Sequence, residues 1–168
     1  KILNSHTHAK LVVNDIINFV PNIRNLLLPI DWFHSINKKQ TSHLINTLKS
    51  NDNIILFPAG EVSKFQYNKI QDVDWNPSFI KMACKYKRNI IPIYLSGKNS
   101  NGFHIISNLR RIFKIQFKFE MFLHIREFFN KKNLTFNVNF GTPISYKKLN
   151  VKLMNGEAKK VKKIIYTL

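Results

Sequence analysis

The feature that most constrains this chain is an alternation. Compact apolar runs of a few residues are separated by stretches whose apolar positions recur at helical spacing. Residues 11–13 and 26–28 read as candidate strands and residues 54–57 and 90–95 as buried ones, each closed by a polar, Gly or Pro break. Between them, residues 41–49 place Leu44, Ile45 and Leu48 on one helical face. After Asn76, a good N-cap, and Pro77, suited to the first helical position, Phe79, Ile80, Met82, Ala83 and Tyr86 recur as one stripe. Lys81, Lys85 and Lys87 are left for the outer face. A pattern that switches between strand and helix periods in this way predicts an α/β domain. Strand, helix, strand at these spacings requires crossovers, hence a mainly parallel sheet flanked by helices. Residues 136–140 alternate apolar side chains with Asn and end at Gly141-Thr142-Pro143, a strand and turn. Residues 156–168 read as a basic surface helix. No repeat, low-complexity linker or second domain interrupts the 168 residues, so a single domain is expected.

Composition narrows the function classes. Hydrophobic residues at 44% and aromatics at 12% are values of a packed domain and exclude a disordered tail. No run approaches the roughly 20 apolar residues that span a bilayer, and the start does not resemble a signal peptide, although an earlier segment could carry either feature. One cysteine, Cys84, allows no internal disulfide, and no Cys/His spacing resembles a zinc site, so no metal is expected. Cys84 is read as a packing residue in a reducing, cytoplasmic setting. Lys and Arg number 27 against nine acids, a net charge of +18. Such a charge attracts polyanions, either nucleic acid or an anionic membrane. Enrichment in Lys, Asn, Ile and Phe also matches an AT-rich coding sequence, which accounts for part of the charge on solvated faces.

Two segments carry candidate chemistry. In Phe57-Pro58-Ala59-Gly60-Glu61-Val62-Ser63, a strand ends in Pro-x-Gly, a tight loop whose exposed amides can face a phosphate or carbonyl oxygen. Glu61 adds a carboxylate at the strand mouth, and Ser63 and Lys64 add a hydroxyl and a cation. In Ile90-Ile91-Pro92-Ile93-Tyr94-Leu95-Ser96-Gly97-Lys98-Asn99-Ser100, the internal proline implies an edge or irregular strand, and Gly97 allows a sharp turn. In a parallel sheet, both segments fall at carboxyl ends of strands, where ligands gather. Taken singly, an ordinary surface turn and an ordinary strand exit explain them equally well.

In this order and spacing, the two segments resemble the third and fourth motif blocks of the glycerophospholipid acyltransferase superfamily. The narrower likeness is to its haemolysin-type and ornithine-lipid acyltransferase branch. Leu11-Val12-Val13-Asn14-Asp15 resembles the strand after the family's first motif, and Leu28-Pro29-Ile30-Asp31 its second block. Asp74-Trp75-Asn76-Pro77-Ser78-Phe79 and Phe140-Gly141-Thr142-Pro143-Ile144 are similar to further family segments, so the likeness covers essentially the whole chain. It implies acyl transfer from an acyl thioester, acyl-CoA or acyl-carrier protein, to a hydroxyl or amine of a lyso-lipid, with no cofactor. By the resemblance, Phe57, Pro58, Gly60, Glu61 and Ser63 hold the acceptor's head group, and Gly97 and Asn99 shape the same mouth. The broader superfamily reads Pro-Glu-Gly-Thr-Arg in the third block, whereas this chain has Ala59 and Val62. The acceptor is therefore expected to differ from a simple glycerol phosphate.

The family's catalytic base is the His of a His-x4-Asp pair, oriented by its Asp. Five residues beyond His6, His8, His34, His43, His104 and His124 stand Leu11, Val13, Lys39, Leu48, Leu109 and Phe129; none is Asp. The expectation is an acyltransferase domain over residues 1–168 whose His-x4-Asp block lies upstream of Lys1, so that this chain alone is inactive. A degenerate homologue is the other explanation. Residues 103–132 interleave Phe113, Phe117, Phe119, Phe122, Phe128 and Phe129 with Arg110, Arg111, Lys114, Lys118 and Arg126. The pattern suits docking on anionic lipid, stacking on single-stranded nucleic acid, or a core-facing Phe stripe with a solvated basic face. With the resemblance, the leading expectation is a peripheral enzyme on the inner, cytoplasmic face of the membrane. The competing class is a non-enzymatic basic module binding nucleic acid or an anionic membrane.

Overall fold

The computed structural model describes residues 8–13, 21–30, 38–60, 63–66, 69–97 and 135–168. Its first layer is a parallel sheet in the order β2-β1-β3, built from β1 (Ala9–Val13), β2 (Leu27–Pro29) and β3 (Asn53–Ile55). Leu11, Val12 and Val13 face Leu27, Leu28 and Pro29 across one edge of β1. Ala9, Lys10 and Leu11 face Asn53, Ile54 and Ile55 across the other. The run reads Leu-Val-Val because β1 is the central strand; Val12, Val13, Leu27 and Leu28 are all buried. Pro29 closes β2, and the Ile30 N–H continues the ladder to the Val13 carbonyl at 2.8 Å.

Helix α1 (Lys38–Lys49) packs on β2 and buries Thr47 and Leu48. Thr47 tolerates burial because its hydroxyl donates to the His43 carbonyl one turn back at 3.0 Å. The break at Ser50-Asn51-Asp52 is fixed from outside. The Arg88 guanidinium donates to the Ser50 carbonyl at 2.7 Å and to the Asp52 carbonyl, placing a cation at the helix's negative end. Asn53 then begins β3.

Helix α2 (Ser78–Lys85) buries Phe79, Ile80 and Ala83 and exposes Lys81 and Lys85, as the stripe predicts. The capping differs by one position. Pro77 is the flanking residue, and Asn76 Oδ1 accepts from the Ser78 N–H at 3.0 Å, so Asn76 still satisfies an orphan donor. The helix ends with Lys87 at φ 53, and the Arg88 N–H reaches back to the Ala83 carbonyl at 2.9 Å. Cys84 Sγ lies 3.8 Å from the Tyr146 carbonyl and 3.9 Å from that of Leu149, a packing position.

Two antiparallel pairs complete the described strands: β4 (Lys64–Gln66) with β5 (Lys69–Gln71), and β6 (Ile93–Leu95) with β7 (Val138–Phe140). The first hairpin carries no apolar alternation long enough to announce it. In the second, the strand expected over 90–95 is split by Pro92, and only Ile93–Leu95 forms the ladder. Ile93 faces Phe140, while the bridge beyond pairs Ile90 with Ile144. The register has slipped by one residue, a bulge with Thr142 and Pro143 opposite Ile91. The slip keeps Pro143 off the ladder and turns Ile144 toward the core beside Ile90.

Short 3₁₀ turns at Tyr146–Lys148 and Val151–Leu153 lead into α3 (Met154–Ile165), whose Ala158 and Val161 are buried. The second core joins Phe79, Ile80, Ala158 and Val161, with Leu56, Trp75, Met82, Ile90, Ile144, Leu149, Met154 and Ile165 packed around them. The helix over the C-terminal residues is therefore a core element with a basic outer face, not solely a surface one.

Candidate functional site

The segment at 57–60 folds as a tight turn. The Gly60 N–H donates to the Phe57 carbonyl at 3.0 Å, with Pro58 and Ala59 between them. Proline presets the backbone for the second position of such a turn. Gly60 sits at φ +65, and nothing lies within 4 Å of where a Cβ would stand. Glycine is thus required by the left-handed backbone, not by crowding. The turn is pinned by the Asn76 N–H, which donates to the Pro58 carbonyl at 2.9 Å. Phe57 is 60% exposed, and the expected buried strand stops at Ile55 with its three residues exposed or half-buried. The cause is that Leu56, not Phe57, reaches the Phe79 and Ile80 core.

Ser63 enters a network that sequence reasoning did not single out. Its hydroxyl donates to Asp72 Oδ1 at 2.5 Å, and Trp75 Nε1 donates to Asp72 Oδ2 at 3.0 Å. Both carboxylate oxygens are therefore occupied. The Asp72 N–H donates to the Tyr166 hydroxyl at 2.9 Å. Lys162 Nζ donates to the carbonyls of Asp72 and Val73 at 2.9 and 3.0 Å. Tyr166 has its pKa raised above 10.0, first by burial, with the Asp72 charge adding and the Asp72 N–H opposing. An indole N–H beside a polar stretch needs an acceptor, and an Asp three residues earlier was the available signal.

Gly97 lies at the exit of β6. It has φ +131, and a Cβ there would stand 3.0 and 3.1 Å from Phe136 ring carbons. Ser96 keeps the ladder going, its N–H donating to the Asn137 carbonyl and its Oγ accepting from the Asn137 N–H, at 2.8 and 2.7 Å. One face of this pair carries Ile93, Leu95, Val138 and Phe140, and Phe136 continues it across from Gly97. Leu95 and Phe140 are 57% and 56% exposed. The alternation in 136–140 does separate two faces, but the apolar one points outward. The other face carries Tyr94 and Asn139, which is itself exposed and donates to the Leu168 carbonyl at 2.8 Å, while Pro92 next to it is buried near Gly141 and Leu168.

The structure thus places Phe57, Pro58 and Gly60 on one turn, ties Ser63 to Asp72, and sets Gly97 against Phe136. Leu56 and Ile90, at the roots of the two segments, pack on the same core. Glu61 and Asn99 lie outside the described residues, as do Val62, Lys98, Ser100 and the stretch 103–132. The described histidines, His8 and His43, are both exposed. Among the described residues, no three His, Cys, Asp or Glu are grouped so as to hold a metal, and no helix is long and apolar enough to cross a membrane. What these residues offer is a backbone-pinned turn and, rooted on the same core, an exposed apolar strand face.

The chain is 29% identical to a lyso-glycine lipid O-acyltransferase of Bacteroides thetaiotaomicron over 170 residues, which cover 99% of this chain and 62% of the relative. It is 26% identical to a lyso-glycine lipid O-acyltransferase of Phocaeicola vulgatus, over 99% of this chain and 61% of the relative. The chain thus spans less than two thirds of the length of these relatives. No solved structure matches it. The profile of the family described as Acyltransferase matches residues 1–168, from end to end and through both motif segments, and the chain belongs to that family.

Proposed function

We propose that the protein transfers a fatty acyl group from an acyl thioester to the hydroxyl of a lyso-lipid acceptor at a membrane surface. The observation that carries this reading is the family match along the whole chain, including the turn at 57–60 that holds Gly60 in a left-handed conformation. In the reaction, the acceptor oxygen attacks the thioester carbonyl, the carbon–sulfur bond breaks, and the thiol leaves with the proton that the base removed from the acceptor. That base is the His of a His-x4-Asp pair, which none of the six histidines here supplies. Residues 1–168 contribute the binding half of the site. Phe57, Pro58, Gly60, Glu61 and Ser63 hold the acceptor head, and Gly97 and Asn99 shape the mouth. Because Ser63 already donates to Asp72, its oxygen serves the head group as an acceptor.

The acceptor we favour is an amino-acid lyso-lipid over a lysophospholipid. Two observations support it: the relatives are named as lyso-glycine lipid O-acyltransferases, and Ala59 and Val62 replace the Glu and Arg of the phosphate-acceptor pattern. The donor is acyl-CoA or acyl-carrier protein, no cofactor takes part, and the protein works peripherally on the inner membrane face. The test is to offer the protein, with its His-x4-Asp segment, a long-chain acyl-CoA and, separately, an acylated carrier protein, each with either lyso-glycine lipid or lysophosphatidic acid. Transfer to the first at a kcat/KM at least tenfold higher is expected. Preference for the second would overturn the acceptor assignment, and transfer to neither would overturn the function.

A further inference from the structure

The segment 145–168 forms a surface that acyl transfer itself does not use. It contains seven lysines and one acid, Glu157, and that acid is already paired with Lys160 at 2.9 Å. On α3, the inward stripe is Met154, Ala158, Val161 and Ile165, which turns Lys159, Lys160 and Lys163 outward about Gly156. Lys162 is the exception, spent on the Asp72 and Val73 carbonyls. Just before the helix, the turn Val151–Leu153 leaves Val151 at 40% and Leu153 at 62% exposure, with Lys152 exposed between them. Lys152, Leu153, Gly156, Glu157 and Lys160 line one shallow open depression, so the apolar tip and the lysines of α3 belong to one continuous surface.

An exposed basic stripe would be explained by solvation alone. The apolar tip points further, because Val151 and Leu153 stand exposed on either side of exposed Lys152, two apolar side chains set among cations as at an interfacial anchor. Protruding apolar side chains ringed by cations match an anionic bilayer, whose headgroups take the lysines and whose acyl boundary takes the leucine. A single strand of nucleic acid binds by stacking on aromatics, and the tip carries aliphatic residues. We infer that the 3₁₀ turn at Val151–Leu153 and the outer face of α3 dock the protein on an anionic membrane surface. Leu153 and Val151 enter the interface, and Lys152, Lys159 and Lys163 contact headgroups. This inference rests on the proposed lipid reaction for its purpose, but the surface is argued from these residues alone.

The test measures partitioning of the protein onto phosphatidylcholine vesicles with and without phosphatidylglycerol. Each lysine near an anionic surface changes binding by about fivefold, so K152Q/K159Q/K163Q should weaken partitioning onto the anionic vesicles by about a hundredfold. L153S should weaken it by about tenfold. Both variants are chosen outside the core, and circular dichroism matching the unsubstituted protein checks that they fold. Acyl transfer to a short-chain, water-soluble lyso-acceptor should be unchanged. Vesicle binding by the variants equal to that of the unsubstituted protein would overturn the surface, as would a selective loss of oligonucleotide binding. Absence of acyl transfer with vesicle binding intact would overturn the proposed reaction and leave the surface standing.

Discussion

Removing the Asp72 carboxylate should loosen the link between the loop that carries Ser63 and the C-terminal helix. In the native protein, that carboxylate accepts from Ser63 Oγ at 2.5 Å and from Trp75 Nε1 at 3.0 Å. Hydrogen bonds to a charged acceptor contribute about 1.5–3 kcal/mol each, and Ser63, Asp72 and Trp75 are half-buried, so water replaces part of what is lost. Taking the low end for both gives about 2–3 kcal/mol for Asp72→Ala. Asp72→Asn keeps one acceptor oxygen but turns an NH₂ toward the second donor, and should cost about 1–2 kcal/mol. For a chain of this size, the alanine variant should melt about 5–10 °C lower.

The assay is urea or thermal unfolding of Asp72→Ala, Ser63→Ala and the double variant, with the exposed neighbour Asp74→Ala as control. Asp74→Ala should stay within about 0.5 kcal/mol of the unsubstituted protein. The cycle between Asp72 and Ser63 should show a coupling of about 1 kcal/mol, since each single change removes the same bond. Additive effects, or an Asp72→Ala as stable as Asp74→Ala, would refute the reasoning that this network holds the loop.

Gly97→Ala should destabilise more than Gly60→Ala. The first sets a Cβ 3.0 Å from Phe136 as well as straining the backbone at φ +131, whereas the second meets only the left-handed penalty of about 1–2 kcal/mol, and unfolding midpoints will rank them. Glu61→Ala should lower kcat/KM for the acceptor by about tenfold or more with an unchanged unfolding midpoint; unchanged kinetics would sink its assignment to the head group. For Tyr166, the folded-state pKa lies above 10.0, so the neutral phenol contributes stability fully below pH 10 and loses it as pH rises through the folded pKa. Tyr166→Phe should therefore flatten the decline in stability above pH 10, read by urea unfolding across alkaline pH.

The parallel sheet and α2 were legible in the sequence because the central strand is an unbroken apolar run and the helix buries one regular stripe. The Leu-Val-Val run of β1 and the stripe from Phe79 to Tyr86 state their environments directly. Residues 136–140 were harder. Their alternation reveals two faces but not which one the protein covers, and here Phe140 is 56% exposed while Asn139, exposed as well, donates to the Leu168 carbonyl. The bulge at Thr142 and Pro143 could not be read either, since it depends on which residue stands opposite Ile90. At the site, Gly60 was identifiable because glycine is favoured at the last position of a turn that has proline at its second. Asp72 was not, because a carboxylate in a polar stretch looks solvated until a Trp three residues later and a Tyr 94 residues later are brought to it.

That long-range closure also explains why α3 is more than a basic tail. Its inner face completes the core around Phe79 and Ile80, and its end reaches the site loop through Lys162 and Tyr166. Its outer face presents Lys159 and Lys163, two of the residues assigned to headgroups. One rigid helix thus connects the proposed membrane surface to the Asp72 network and, through Asp72, to Ser63. Docking by the outer face would hold the loop at a fixed orientation to the bilayer, which suits an acceptor whose head is bound while its chain stays in lipid. The geometry makes a separable demand. Substituting Lys162 should disturb the loop without weakening vesicle binding, because its ammonium faces inward, whereas substituting Lys163 should do the reverse.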